Sequence, residues 1–317
     1  MPFREIYRTF CAQAPDMPLF MQDWYLDAAC GPANWQVIFV RKGGKVAGVL
    51  PYFLKQKLHW HYVAMPPLVK MMGPYLLPEF RTARHETGLL RQLIEQLPPL
   101  AAFEQDFNYT ATNWLPFYWQ DFRQTTRYSY VLDLTVSLET LEENLAPDYR
   151  NNKLPKAAEQ VQVHTGNDLE LFYRVHNQSF QRQGMAAPVS FSFLQTLDQV
   201  LEVHQAREIF WATDRQTGAV HSVAYLAWDQ HSAYYLLAGD DPALRRSGAG
   251  ILLAWEAIRY AKERLQLPYF DFAGSMIKPI ERVRRQFGGE QKPYFRVYKE
   301  WSLVWRLGKW ARRVSHR

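Results

Sequence analysis

The chain has 317 residues, 48% of them hydrophobic and 15% aromatic, which is enough apolar material for the cores of two domains of ordinary size. Two cysteines give no disulfide framework, the first residues do not read as a signal peptide, and no window reaches the ~18 apolar residues of a membrane span, so we expect a cytoplasmic protein. The net charge of +6 suggests an anionic partner such as a nucleotide, tRNA or a membrane surface, although the same charge also serves plain solubility.

Residues 1–127 predict a first domain in which strands and helices are mixed. Two β-rich runs flank a Gly-Gly pair and predict a hairpin. A helix is predicted after the hairpin, and a Pro-Pro pair ends that helix. The predicted elements are helical periodicity over Arg4–Cys30, the hairpin Gln36–Phe53 turned at Lys42–Lys45, a helix over Arg84–Gln96 and a strand near Ala101–Tyr109.

Residues 128–317 predict a second domain that loosely echoes the first. Its predicted elements are a strand Tyr128–Leu134, helices Leu138–Asn144, Lys153–Gln160 and Asp168–Arg182, a hairpin Glu208–Trp228 turned at Arg215–Gly218, a strand Ser232–Ala238, a helix Ile251–Leu265 and a strand from Tyr269. Mixed strands and helices in this order predict an α/β (α+β) fold, in which each domain is a mixed sheet flanked by helices.

A glycine loop joins the strand Ser232–Ala238 to the helix Ile251–Leu265. It contains Arg245-x-x-Gly248-x-Gly250, in which glycines let the backbone turn sharply and approach a ligand closely. The start of a helix presents N–H groups and the positive end of the dipole, so the loop predicts a seat for phosphate or pyrophosphate. A glycine-rich turn without a ligand is the alternative interpretation.

The first domain has no such loop before its helix. The corresponding stretch contains Pro78 and Glu79, which supply neither glycine nor free N–H groups, and a negative Glu79 would oppose a pyrophosphate. We therefore expect the phosphate-bearing ligand to bind the second domain only, while the first domain holds a second substrate or shapes a cleft.

This context resembles the acyl-CoA N-acyltransferase (GNAT) superfamily, whose pyrophosphate loop follows the pattern Gln/Arg-x-x-Gly-x-Gly/Ala. Residues 128–298 resemble more narrowly its FemAB-like branch, with an acetyltransferase domain of the BioF2-like type. The residues that carry this narrower resemblance are Tyr130–Leu134, Tyr149–Lys153, Phe270–Ser275 and Gln286–Gly289. The resemblance implies two tandem GNAT-like domains, 1–127 and 128–317.

The resemblance also implies a donor, an acceptor and the residues that bind the donor. The donor is an acyl-CoA or an aminoacyl-tRNA used as co-substrate, with no tightly bound cofactor, and the acceptor is an amine on a cell-envelope precursor or a lipid. The strand before the loop splays from its neighbour and offers its backbone to the donor arm. The donor-binding residues are then Leu237, Ala238, Gly239, Arg245, Arg246, Ser247, Gly248, Ala249 and Gly250.

Three residues are candidates for proton transfer. Asp271 alternates with two phenylalanines in a short apolar strand, where burial would raise its pKa toward a useful range; the alternative is a structural acid paired with an arginine. Tyr235 is a candidate acid for the leaving group or a core aromatic residue. Asp241 lies at the mouth of the proposed site, or caps the turn that contains Pro242.

Two basic segments are candidates for substrate contact. Ser275, Lys278 and Arg282 follow the Asp271 strand, and on a helix the two cations would share one face; a solvated face is the alternative. Arg150 is placed by the resemblance at the start of a helix that lines the cleft, but Pro155 fits a first helical turn, which puts Arg150 in the preceding loop.

The tail Trp301–Arg317 predicts a basic amphipathic helix. Its apolar residues recur at helical spacing among four arginines and lysines, so it would lie on an anionic membrane, touch RNA, or dock on its own domain.

Two functions follow from the sequence. The first is an N-acyltransferase or aminoacyltransferase without a covalent enzyme intermediate, since no Cys or Ser sits in a nucleophile motif. The second is a catalytically silent GNAT-fold protein that binds tRNA or an anionic membrane. We predict no metal site, because His59 and His61 have no further ligands near them in the sequence.

Overall fold

The computed structural model describes residues 2–181, 184, 187–302 and 305. The chain divides into two compact units, Met1–Arg127 with Pro293–Arg317, and Tyr128–Lys292. The sequence analysis places 293–317 in the second domain, whereas the structure groups the described residues 293–302 of this segment with the first unit. Most of the predicted tail helix lies outside the described residues.

The first unit is a mixed sheet with helices. Its strands follow the order β1-β2-β3-β5-β12, with β4 paired to β2, and only β3 and β5 run parallel. Its elements are α1 Pro2–Gln13, α2 Asp23–Cys30, β1 Trp35–Lys42, β2 Lys45–Lys57, β3 Trp60–Ala64, β4 Tyr75–Leu76, α3 Glu86–Glu95, β5 Ala102–Asp106, α4 Leu115–Tyr118 and the last strand of the chain, β12 Glu290–Glu300.

The second unit is a six-stranded sheet with helices. The strand order is β6-β11-β10-β9-β8-β7, in which β10 and β11 are parallel and the other neighbours are antiparallel. Its elements are β6 Arg123–Asp133, α5 Leu138–Glu143, α6 Leu154–Gln160, β7 Val161–Gly166, α7 Leu169–Gln181, α8 Phe191–Val203, β8 Arg207–Asp214, β9 Val220–Trp228, β10 Ser232–Asp240, α9 Ala249–Glu263, β11 Tyr269–Asp271 and α10 Lys278–Arg285.

Both predicted hairpins are confirmed, and local chemistry explains why they form. Gly43 and Gly44 both have positive φ, at 59° and 82°, which is the conformation that a two-residue turn between twisted strands requires. In the second hairpin the carboxylate of Asp214 accepts hydrogen bonds from the backbone N–H groups of Gln216 and Thr217.

The core of the second unit lies between the sheet and α9. Leu253, Ala257 and Ile258 of this helix are fully buried in one cluster with Phe210 and Phe270 from the strands. Burial of whole apolar side chains stabilises such a layer by about 1.5–3 kcal/mol each, so the start of α9 is held firmly at the end of the sheet.

Candidate functional site

The glycine loop forms a tight turn between β10 and α9. Arg245–Ser247 make one turn of 3-10 helix, and Gly248 follows in the left-handed conformation at φ 77°, ψ 10°. A residue with a side chain is strained in this conformation by about 1–2 kcal/mol. Gly248 therefore lets the chain reverse and begin α9 directly, as the loop pattern predicts.

Gly250 has a packing role that the sequence analysis did not assign. A Cβ atom at this position would lie 2.6 Å from Oδ1 of Asp240 and 3.3 Å from Oγ of Ser222. The same Asp240 oxygen accepts a hydrogen bond of 2.7 Å from Ser222. Gly250 is thus required because the first turn of α9 lies against the end of β10.

The strand β10 is paired on one side for only part of its length. It pairs with β11 from Ser232 to Tyr234 alone, while its pairing with β9 continues to Asp240 with an irregularity between Tyr235 and Leu237. Beyond Tyr234, β10 no longer pairs with β11, which leaves this part of the strand with an open edge. This geometry agrees with the predicted splay, and the predicted contacts Leu237, Ala238 and Gly239 lie in it.

Helix α7 lies against this edge, which the sequence did not reveal. The carbonyl of Ala238 is 2.9 Å from Nδ1 of His176, and Ser179 Oγ is 3.0 Å from both the N and the O of Asp240. A Cβ on Gly239 would lie 2.5 Å from Cα of His176. His176 and Ser179 stand three apart in the helix, but only the tertiary fold brings them to β10.

A pocket of about 680 Å³ opens beside the glycine loop. This volume is in the range of small-molecule sites. One wall is the loop and the other is the π-helical turn Tyr149–Lys153 with the start of α6. The lining residues are Asp148, Asn152, Lys153, Lys156, Arg245, Arg246, Ser247, Gly248 and Ile251.

Four cations line this pocket against one acid. The side chains of Lys153, Lys156, Arg245 and Arg246 make no hydrogen bond or ion pair within the described part of the chain, whereas Asp148 accepts a hydrogen bond from Asn152 at 3.2 Å. Unpaired cations around a helix N-terminus create a strongly positive pocket. The arrangement is suited to a ligand with more than one phosphate.

Arg150 is not among the residues that line this pocket. Its guanidinium is exposed and donates to the carbonyl of Glu143 at 3.3 Å and to Asn151 Oδ1 at 3.4 Å. Helix α6 begins at Leu154 with Pro155 in its first turn, as that proline indicates. Lys153 and Lys156, from the same basic segment, are the residues that reach the pocket.

Asp271 is buried in a network that shapes the backbone after β11. Its Oδ1 accepts hydrogen bonds from Ser129 Oγ at 2.6 Å and from the Ala273 backbone N–H at 2.7 Å. Ser129 Oγ in turn accepts from the N–H of Gly274, and both Ala273 and Gly274 have positive φ. These contacts favour a positioning role over that of a general base, and Asp271 does not line the pocket.

Tyr235 and Asp241 have structural roles in the fold, as a core aromatic residue and as the cap of a turn. Tyr235 is buried with its ring 6.1 Å from Phe270 and 6.0 Å from Phe272, and burial raises its pKa well above the ordinary value, with a smaller effect of the Asp240 charge. Asp241 accepts a hydrogen bond of 2.8 Å from the backbone N–H of Ala243 and caps the turn. Their catalytic roles remain predictions.

The residues that follow β11 also lie outside the lining of the pocket. Ser275 is buried and Arg284 donates to its hydroxyl at 3.4 Å. Lys278 and Arg282 lie on α10, which has no buried residue. Phe287 and Gly288 are structural, because Phe287 is fully buried and a Cβ on Gly288 would lie 2.4 Å from the carbonyl oxygen of Asn144.

The described residues contain no group of three or more His, Cys, Asp or Glu side chains that could hold a metal ion. Within the same residues, no helix combines the length and apolar character needed to cross a bilayer.

Most of the second unit matches a known protein family. Residues 148–295 match the family described as acetyltransferase (GNAT) domain, and this range contains the glycine loop, both walls of the pocket and the open edge of β10. Residues 148–295 therefore form a GNAT domain, and the predicted GNAT acyltransferase is confirmed for this part of the chain.

Solved structures share the fold of this GNAT protein over almost its whole length. FemX has a TM-score of 0.70 at 12% identity, covering 92% of this chain and 95% of FemX. A tandem GNAT protein from the clavulanic acid biosynthesis pathway has a TM-score of 0.55 at 14% identity, covering 94% and 93% of the two chains.

A third similar structure is the C-terminal domain of a putative lysylphosphatidylglycerol synthetase from Agrobacterium fabrum. It has a TM-score of 0.54 at 12% identity and covers 94% of this chain and 91% of its own. At such identities the likeness shows the fold alone, and it confirms the predicted architecture of tandem GNAT-like domains. No protein of curated function matches the GNAT chain in sequence.

Proposed function

We propose that the protein transfers an acyl group from an acyl-CoA to an amine acceptor, with the donor phosphates in the pocket beside the glycine loop. The observation that carries this proposal is the set of four unpaired cations around the start of α9. Their positive potential lies where a helix N-terminus already favours a phosphate.

The size of the pocket supports a nucleotide donor over a tRNA. A volume of about 680 Å³ matches a ligand of nucleotide size, whereas a tRNA backbone is bound through many phosphates over an extended surface. Aminoacyl-tRNA remains the competing donor, because it too would bring phosphate to the same cations.

The reacting end of the donor is proposed to lie along the open edge of β10. Ala238 is exposed in the otherwise largely buried stretch from Ala233 to Gly239. Its carbonyl is already engaged by His176, so the backbone group proposed to meet the donor arm is its N–H. Backbone N–H groups fixed in a strand are pre-organised donors for the oxyanion that forms during acyl transfer.

The proposed reaction is a direct transfer. The neutral amine nitrogen attacks the thioester carbonyl, the carbon–sulfur bond breaks, and the amine loses a proton to solvent or to a basic group as the thiol leaves. Holding both substrates in one site converts the encounter into an effectively unimolecular step. The acceptor class, an amine on a cell-envelope precursor or a lipid, comes from the family resemblance alone.

The first experiment changes the glycine loop. Gly248→Glu adds a side chain and a negative charge at the mouth of the pocket, and we expect loss of CoA binding in isothermal titration calorimetry. Gly248→Ala is the matched control: it carries the same backbone strain, but its Cβ meets the nearest atoms only at 3.6 Å and 3.7 Å, so binding should survive a stability loss of about 1–2 kcal/mol. Unchanged affinity in a folded Gly248→Glu variant would place the donor elsewhere.

The second experiment compares two cations of the same basic segment. Lys156→Gln removes a pocket cation and should weaken CoA binding about tenfold or more. Arg150→Gln removes an equal charge outside the pocket lining and should leave the affinity unchanged. If bulk tRNA is bound in the same assay while CoA and acetyl-CoA are not, the donor is an aminoacyl-tRNA and the acyl-CoA proposal is wrong.

A further inference from the structure

Helix α10 is an exposed helix with an apolar side and a basic side. None of its eight residues is buried. Ile277, Ile280 and Val283 follow one another at a spacing of three, which places them along one side. Their exposed fractions are 61%, 42% and 42%, and the preceding Met276 is 47% exposed.

Two contacts fix which way this helix faces. Glu281 accepts a hydrogen bond of 2.7 Å from the hydroxyl of Tyr130, and the guanidinium of Arg284 lies 5.8 Å from the centre of the Phe272 ring. These two residues tie α10 to the second unit. The apolar row adjoins this anchored side, and its exposed fractions show that its own unit leaves it largely uncovered.

The opposite side of α10 carries its cations. Lys278 and Arg282 have no ion pair or hydrogen bond within the described residues, and Arg285 reaches only Glu281, at 3.4 Å. A row of exposed isoleucine and valine beside unpaired cations has the composition of a helix that lies in a membrane interface.

We propose that α10 docks the protein on an anionic lipid bilayer. In this arrangement Ile277, Ile280 and Val283 enter the boundary between headgroups and acyl chains, while Lys278, Arg282 and Arg285 extend to headgroup phosphates. An RNA backbone would satisfy the cations but give nothing to the apolar row. The proposal goes beyond acyl transfer and does not depend on which donor is used.

The test measures binding of the full chain to vesicles of phosphatidylcholine alone and of phosphatidylcholine with phosphatidylglycerol. We expect co-sedimentation with the anionic vesicles only, weakened by salt because exposed charges are screened. The variant I277S/I280S/V283S should lose this binding. L58S/V203S is the matched control, since Leu58 and Val203 are 81% and 79% exposed and lie elsewhere, and it should bind like the unchanged chain.

A second pair of variants tests the charges. K278Q/R282Q should weaken vesicle binding by about 25-fold, at about fivefold for each cation near an anionic surface. K57Q/R123Q removes the same charge from exposed positions of the first unit and should leave binding unchanged. All substituted side chains are exposed, so the substitutions should not change the melting temperature. Thermal unfolding of each variant, measured on the samples used for sedimentation, therefore excludes a folding defect.

Three results would overturn the proposal. The first is that the unchanged chain does not bind anionic vesicles at all. The second is that the apolar triple variant binds them as tightly as the unchanged chain. The third is that removal of residues 306–317 abolishes binding that the triple variant retains, which would make the tail and not α10 the membrane contact. CoA binding, measured in parallel, should be the same in every variant, which separates this proposal from the proposed acyl transfer.

Discussion

At the scale of single residues, Asp271 shows how an acid in a suggestive position can serve the backbone. Both of its described donors, Ser129 Oγ and the N–H of Ala273, bond to the same oxygen, Oδ1. An asparagine offers a carbonyl oxygen of similar geometry without the charge. Substitution can therefore separate a role in holding the turn from a role in proton transfer.

We expect Asp271→Asn to keep most of the activity and Asp271→Ala to lose stability. The alanine leaves the Ser129 hydroxyl and a buried N–H without their acceptor, at a cost of about 1–3 kcal/mol in the free energy of unfolding, measured by urea denaturation. If Asp271 is instead the general base, the asparagine variant loses kcat and the acidic limb of its pH profile while its stability stays near that of the unchanged chain.

At the scale of elements, the contact between α7 and β10 depends on the absence of one side chain. Gly239 has nothing but hydrogen toward Cα of His176, which allows His176 and Ser179 to reach the strand backbone. A larger residue would push the helix away from the edge that we propose to hold the donor arm.

We predict that Gly239→Ala lowers the free energy of unfolding by about 1–3 kcal/mol, because overpacking moves backbone rather than a flexible side chain. It should also weaken donor binding. Gly88→Ala is the matched control: Gly88 lies within α3, its Cβ would meet nothing within 4 Å, and the change should stabilise the chain by about 0.5–1 kcal/mol. Equal stability of the two variants, measured by thermal and urea unfolding, would contradict the packing argument.

Local chemistry explains which elements the sequence predicts. The Gly43-Gly44 turn and the glycine loop depend on residues adjacent in the chain, and both are found where expected. Helix α8 is absent from the predicted elements, although Ser190 caps it by accepting from the N–H of Phe193 and Leu194, Leu197 and Leu201 recur on its buried side. This cap and leucine spacing are local signals that are typical of a helix.

The site was only partly predictable, because one wall of the pocket and the contacts of β10 with α7 are formed by tertiary packing. The loop from Arg245 to Gly250 follows from glycine conformation and the helix dipole. Lys153 and Lys156 on the other wall, and His176 at the edge of β10, come from distant segments that no local pattern connects to the loop. A single sequence marks charged residues at these positions but not that they converge.

At the scale of the whole molecule, the two units differ in the charge of the turn that precedes their helix. In the first unit Pro78–Phe80 form a 3-10 turn, and Glu79 is paired with Lys45 at 2.6 Å. This stretch therefore presents an acid where the second unit presents arginines.

We expect one CoA to bind per chain. Calorimetric titration should give a stoichiometry of one, and Gly248→Glu should reduce it to none without exposing a second, weaker site. A stoichiometry of two, or binding that survives in Gly248→Glu and is lost in Arg81→Glu, would show that the first unit also binds nucleotide.

The division of the chain has a consequence for its synthesis on the ribosome. The first unit needs β12, which pairs with β5 from Arg296↔Asp106 to Glu300↔Ala102, yet about 165 residues of the second unit are translated between them. At a translation rate of about 5–20 residues per second, the interval is roughly ten to thirty seconds. Throughout this interval the edge of β5 that will pair with β12 has no partner, and by its end all strands of the second unit have been synthesised. The unit that begins second can thus be the first to finish folding.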